Sequence, residues 1–132
     1  MTDTVRSIID SKAGSQAEAI FLISPDAGLE LSYRQLQANA RELENRLNAM
    51  GIQVGEKVAF LMSNGLWTAS LFLGTMYSGR VILPLNAVSG NDQLSYVIEH
   101  SDCRVIFVED ELRQKFQSVI DNIPEQILLI PT

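Results

Sequence analysis

Four short apolar runs, Lys57–Met62, Val81–Leu85, Arg104–Val108 and Ile127–Ile130, are separated by stretches whose apolar residues recur at helical spacing. Strands joined by helices of that length pair in parallel through right-handed crossovers. Nearly continuous apolar strands belong to sheets covered on both faces, because each face must then be buried. The pattern predicts an α/β fold: a mostly parallel sheet with helices on both faces.

The N-terminal third adds an opening β-hairpin. Thr4–Ala17 reads as a first helix with Val5, Ile8 and Ile9 on its apolar side, followed by the strand Ala19–Ile23. Pro25-Asp26-Ala27-Gly28 supplies turn chemistry, since proline fixes φ and glycine accepts positive φ, and Leu29–Leu31 returns. Ser32 and Gln35 form a capping box at the start of a helix over 33–50, on which Leu36, Ala40, Leu43, Leu47 and Met50 share a face, with Gly51 as its stop.

A further helix spans Leu66–Ser78, capped by Ser63-Asn64 and ended by Gly79. Apolar side chains occupy most of its circumference, which predicts deep burial. Gly74 inside it costs about 1 kcal/mol against alanine, a cost that close backbone packing would explain. Pro84 restricts its strand to an end or a bulge. Helices are also expected from the Ser89–Asp92 start through His100, and from an Asp110 cap through Leu112, Phe116, Val119, Ile120 and Ile123. The 132 residues read as one α/β domain, with no internal boundary.

Composition excludes several classes. With 46% hydrophobic and 20% charged residues the chain is globular, and at this length roughly two-thirds of the unfolded surface can be buried. A formal net charge of −6 with scattered Lys and Arg argues against nucleic acid as a partner. The single Cys103 rules out an internal disulfide and reads as a small buried hydrophobe in a reducing, cytoplasmic setting. Met1–Asp10 lacks a signal-peptide start, and no apolar run approaches the ~20 residues of a membrane span.

Candidate chemistry is sparse. Neither G-x-G-x-x-G nor G-x-x-x-x-G-K-[ST] occurs, and Gly51 and Gly55 read as punctuation. His100 is the only histidine, so a metal site lacks ligands, and its place at a helix end suits a structural or solvated cation. Glu109-Asp110 after a strand could be a Mg²⁺-binding acid pair of a phosphoacceptor domain, with Ser63-Asn64 and Asn86 at comparable strand ends; the competing reading is a helix cap. Trp67, Phe72, Met76 and Tyr77 could line an acyl or aromatic pocket, or be core.

Four stretches in order carry a resemblance. Leu31-Ser32-Tyr33-Arg34-Gln35-Leu36 resembles L-[TS]-Y-x-x-L, and Val54–Asn64 resembles G-D-x-V-A-[IL]-x-x-x-N. Leu73–Asn86 is similar to a pattern ending G-x-x-x-x-P-[LI]-[ND], and Leu94–Val108 to Y-x-[LI]-x-[DH]-S-x-x-[KR]-x-[LI]-[FI]. Each is mostly core and turn residues; together, over about residues 18–110, they resemble the beginning of the AMP-binding, adenylate-forming superfamily. Pro84-Leu85-Asn86 is more similar to its acyl-CoA synthetases than to amino-acid-adenylating members.

The resemblance implies an enzyme that makes acyl-AMP from ATP and a carboxylic acid, a fatty acid being the leading candidate, and then transfers the acyl group to CoA with Mg²⁺ as cofactor. The superfamily's Ser/Thr-Gly-rich phosphate loop, its magnesium-binding motifs and its catalytic lysine have no counterpart here. The chain is therefore expected to be an N-terminal fragment, inactive alone, binding none of these cofactors, with no catalytic, cofactor-binding or metal-ligating residue assigned. A cut-out of this kind would expose packing surfaces, so self-association is expected. The alternative reading is a stand-alone α/β interaction or regulatory module that keeps the ligase scaffold without its chemistry.

Overall fold

The computed structural model describes residues 4–24, 29–63, 65–86, 88–124 and 126–132, apart from the side chains of 22–24 and 29. They form two compact units, one from the stretches 1–55 and 64–80, the other from 56–63 and 81–132.

The first unit holds α1 (Val5–Ser15), β1 (Ile20–Ser24), β2 (Leu29–Ser32), α2 (Tyr33–Ala49) and α3 (Leu66–Tyr77). β1 and β2 pair antiparallel, as the opening hairpin requires; its turn at 25–28 lies outside the described residues. The Ser32–Gln35 capping box forms in both directions: the Gln35 N–H donates to Ser32 Oγ at 3.2 Å and the Ser32 N–H to Gln35 Oε1 at 2.9 Å. Thr4 and Ser7 make a second box ahead of α1.

Helices α2 and α3 end alike. The Ile52 N–H donates to Leu47 O and the Gly51 N–H to Asn48 O, with Gly51 at φ 78°; the Arg80 N–H donates to Thr75 O and the Gly79 N–H to Met76 O, with Gly79 at φ 80°. Both are Schellman ends, in which a left-handed residue turns the last carbonyls inward.

The buried side of α3 differs from the expectation. Its most enclosed residues are Thr68, Ser70, Gly74, Thr75 and Tyr77, whereas Trp67 is 63% exposed. At 100° per residue Ser70, Gly74 and Tyr77 lie on one side of the helix and Thr68 and Thr75 on the opposite one, and Gly74 lets α3 approach α2 closely: a Cβ there would sit 3.4 Å from the Ala40 Cα. On α1, Ile9 is buried while Ile8 is 48% exposed, because 100° of rotation separates neighbours on a helix.

The second unit is a parallel sheet of β3 (Lys57–Leu61), β4 (Val81–Pro84), β5 (Val105–Val108) and β6 (Leu128–Pro131) in the order β4-β3-β5-β6, with α4 (Asn91–His100), α5 (Asp110–Lys115) and α6 (Gln117–Asp121). Ala59, Leu61, Ile106 and Val108 form one core with Leu94 and Ile98 of α4 and Phe116, Val119 and Ile120. The alternate residues Val58, Phe60, Val105 and Phe107 are equally enclosed, Phe60 and Phe107 stacking at 5.3 Å. Burial of both sets explains why these strands read as unbroken apolar runs.

Helices α3 and α4 begin where expected, at Leu66 and within Ser89–Asp92, but their N-caps are Gly65 and Gly90, which make no side-chain capping bond. The start of α5 is corrected by one residue: Glu109 is its N-cap, again without a side-chain capping bond, so Asp110 is the first helical residue rather than the cap. The single helix expected after Asp110 is broken at Phe116, whose φ of −109° and ψ of 33° leave the helical region while its ring enters the core.

Candidate functional site

Open α/β sheets bind ligands outside the carboxyl ends of their strands, where neighbouring connections leave in opposite directions. Here that point lies between β3 and β5, since the chain goes from β3 to β4 on one side and returns past β3 to β5. Ser63 and Glu109 follow those strands. The Ser63 N–H donates to Glu109 Oε2 at 2.9 Å, its hydroxyl to the same oxygen at 2.8 Å, and the Glu109 N–H to Leu61 O at 3.0 Å. One carboxylate thus ties the two strand ends together.

The other rim residues are occupied locally. Asn86 Oδ1 accepts from the Val88 N–H at 3.0 Å, and the Thr132 N–H donates to Val108 O at 3.0 Å. Asn64 lies outside the described residues. Asp110 sits at the N-terminal end of α5, where the helix dipole favours an acid.

Among the described residues no group of three His, Cys, Asp or Glu side chains could hold a metal ion. Glu109 is committed to Ser63.

The remaining candidates are dispersed. His100 ends α4, which runs back to the amino ends of the strands and so away from the rim; its Nδ1 lies 2.9 Å from Tyr96 O and its ring stacks on Tyr96 at 4.1 Å. Cys103 is buried in the core of the second unit. On α3, Trp67 is exposed, Phe72 and Met76 are half-buried and Tyr77 is 2% exposed, so the four do not converge on one pocket. Trp67 borders a shallow groove of about 240 Å³ with Asn39, Leu43, Arg46, Ser70 and Leu71. No helix among the described residues is long and apolar enough to cross a membrane.

A polar cluster in the first unit was not legible from spacing. Asp10 Oδ1 accepts from the Tyr77 hydroxyl at 2.7 Å and from Gln37 Nε2 at 2.9 Å, while Arg41 Nε donates to the Tyr77 oxygen at 3.4 Å. Arg6 lies 4.6 Å over the Tyr77 ring and pairs with Glu44 at 2.7 Å. Burial raises the Asp10 carboxyl, but the Gln37 and Tyr77 hydrogen bonds, with the charges of Arg41 and Arg6, together hold it below its ordinary range. Burial and the bond to Asp10 push the Tyr77 phenol up.

The profile of the family described as AMP-binding enzyme matches residues 9–130. Sulfoacetate–CoA ligase of Cupriavidus necator is 36% identical over 105 residues, 80% of this chain and 21% of that protein. The long-chain-fatty-acid–CoA ligase FadD13 of Mycobacterium tuberculosis is 30% identical over 84 residues, 64% of this chain and 17% of that protein. The chain thus spans about a fifth of the length of these curated relatives. The crystal structure of the N-terminal domain of FACL13 from Mycobacterium tuberculosis superposes with a TM-score of 0.87 at 21% identity, covering 99% of this chain and 34% of that one, a likeness of fold. A family match that runs through all four motifs and nearly every described element places the chain in the AMP-binding enzyme family, with the α/β fold of the N-terminal domain of adenylate-forming acyl-CoA ligases.

Proposed function

We propose that residues 1–132 act as one α/β section of the N-terminal domain of an ATP- and Mg²⁺-dependent acid–CoA ligase of the reducing cytoplasm, supplying scaffold and wall but none of the reacting groups. The ligase would activate a carboxylic acid as acyl-AMP and pass the acyl group to CoA. The family match over residues 9–130 carries this reading. A fatty acid is the proposed substrate: the motif Pro84-Leu85-Asn86 supports it, and a long-chain-fatty-acid–CoA ligase is among the relatives.

Adenylation requires a carboxylate aligned with the α-phosphate and electrostatic stabilisation of the pentacoordinate phosphorus. A chain whose sequence lacks the phosphate loop has no means to do either, so it is expected to give no ATP–pyrophosphate exchange alone. Exchange above background by the purified chain would overturn that. The scaffold role is tested by a chimera: this chain replaces the matching residues of the Cupriavidus necator sulfoacetate–CoA ligase. A folded chimera that keeps ligase activity supports the proposal; a folded chimera without adenylation refutes it.

A further inference from the structure

We propose that α1 is a strap that opens and closes on α2 and α3 as one cooperative segment, latched where the Tyr77 hydroxyl and the Gln37 amide meet the Asp10 carboxylate. The inference is independent of the ligase reading.

Two contrasts within the first unit support it. Helices α2 and α3 approach to backbone contact at Gly74 and Ala40, and α2 alone buries Leu36, Ala40, Leu43 and Leu47. Helix α1 buries only Ile9. Its 11 residues are too few for a stable isolated helix, so undocking and unwinding are one event. Val5 packs half-buried against the same core as Ile9, and the other contacts that hold the helix are polar: Asp10 to Tyr77 on α3 and Gln37 on α2, and Arg6 to Glu44 on α2 and over the Tyr77 ring.

A pivot lies next to it. Gln16 leaves the helical region with φ −138° and ψ 43°, while the Arg34 N–H donates to Ala17 O at 3.0 Å and the Tyr33 N–H to Ala19 O at 3.1 Å. The segment after Gln16 is thereby fixed to the start of α2, and motion is confined to the helix before it. Opening would uncover Tyr77, Leu36 and Ala40, which share a core with Ile9. The charged and titratable groups facing Asp10 are Arg6 on its own helix, Arg41 on α2 and Tyr77 on α3, with Glu44 acting through Arg6.

Amide hydrogen exchange on the whole chain at one fixed pH tests this. The α1 amides are expected to exchange together and ahead of those of α2, α3 and β3. Tyr77→Phe removes a hydrogen bond to a carboxylate and should speed α1 exchange roughly ten-fold, leaving β3 and β5 unchanged. Asp10→Asn, which leaves Tyr77 in place, should speed it several-fold. Co-exchange of α1 with α2, a uniform rise across the chain, or no rise in either variant would each overturn the proposal.

Discussion

The Tyr77 hydroxyl donates to the Asp10 carboxylate across 2.7 Å, joining positions 67 residues apart in the chain. Because these bonds and nearby guanidinium charges favour ionised Asp10 only in the folded state, its folded pKa lies below the unfolded one. The stabilisation is present above the unfolded value of about 3.9 and is lost as pH falls through the lower folded value. Urea midpoints should therefore be flat in this respect above about pH 5 and decline below pH 4. Asp10→Asn should cost about 1 kcal/mol at neutral pH and remove part of the acid decline; an unchanged acid limb would refute the assignment.

Gly74 packs α3 tightly against α2. A Cβ there would lie 3.1 Å from Leu43 Cδ2 and 3.4 Å from the Ala40 Cα, and both neighbours are buried. Gly74→Ala gains about 1 kcal/mol of helix propensity but presses Leu43, so its net effect should be near zero. Gly74→Val adds two methyls that Ala40 backbone cannot accommodate and should destabilise by about 2–3 kcal/mol, read from the denaturant midpoint at constant slope. A neutral valine would mean that the helices can separate freely.

What could be read from the sequence follows from how local the signal is. The Ser32–Gln35 box, the Gly51 and Gly79 stops and the four apolar strands depend on residues within a few positions, and each forms where the pattern put it. The capping residues differ from the pattern: Gly65 rather than Ser63-Asn64 caps α3 and Glu109 rather than Asp110 caps α5, while Ser63 donates its N–H and hydroxyl to the Glu109 carboxylate across the sheet. The Asp10–Tyr77 contact had no spacing signal. The apolar pattern of α3 misleads for another reason: its most enclosed residues, on two opposite sides of the helix, are the small Thr68, Ser70, Gly74 and Thr75 together with Tyr77, whereas Trp67 is exposed.

Glu109 and Ser63 provide a direct measure of the rim. The carboxylate accepts from both the N–H and the hydroxyl of Ser63, but Ser63 is exposed, so solvent replaces part of what is lost on mutation. Ser63→Ala and Glu109→Gln should each cost less than about 1 kcal/mol, with a coupling of about 0.5 kcal/mol in a double-mutant cycle. A zero coupling would show that the strand ends are joined by backbone alone.

Arg80 joins the two Schellman ends. Its Nη1 donates to Ser78 O at 2.9 Å, and its Nη2 to Asn48 Oδ1 at 2.7 Å and to Ile52 O, while the side chain is buried at 5% exposure. Two effects oppose each other in Arg80→Met. Removing a buried cation whose Nε has no hydrogen-bond partner relieves a desolvation cost, and such replacements can be neutral when the lost partner is a matched charge. Here the partners are carbonyls at residues only 1% and 3% exposed, Ile52 and Ser78, which water cannot reach and methionine cannot satisfy. The stranded acceptors, at helix ends where the dipole is negative, should dominate, giving a loss of about 2–4 kcal/mol. Arg80→Lys retains the charge but not the fork, so it should recover about half of that loss. Denaturant titration of the three proteins decides it: a methionine variant within about 0.5 kcal/mol of the parent would mean that the glycine turns hold both helix ends without the guanidinium.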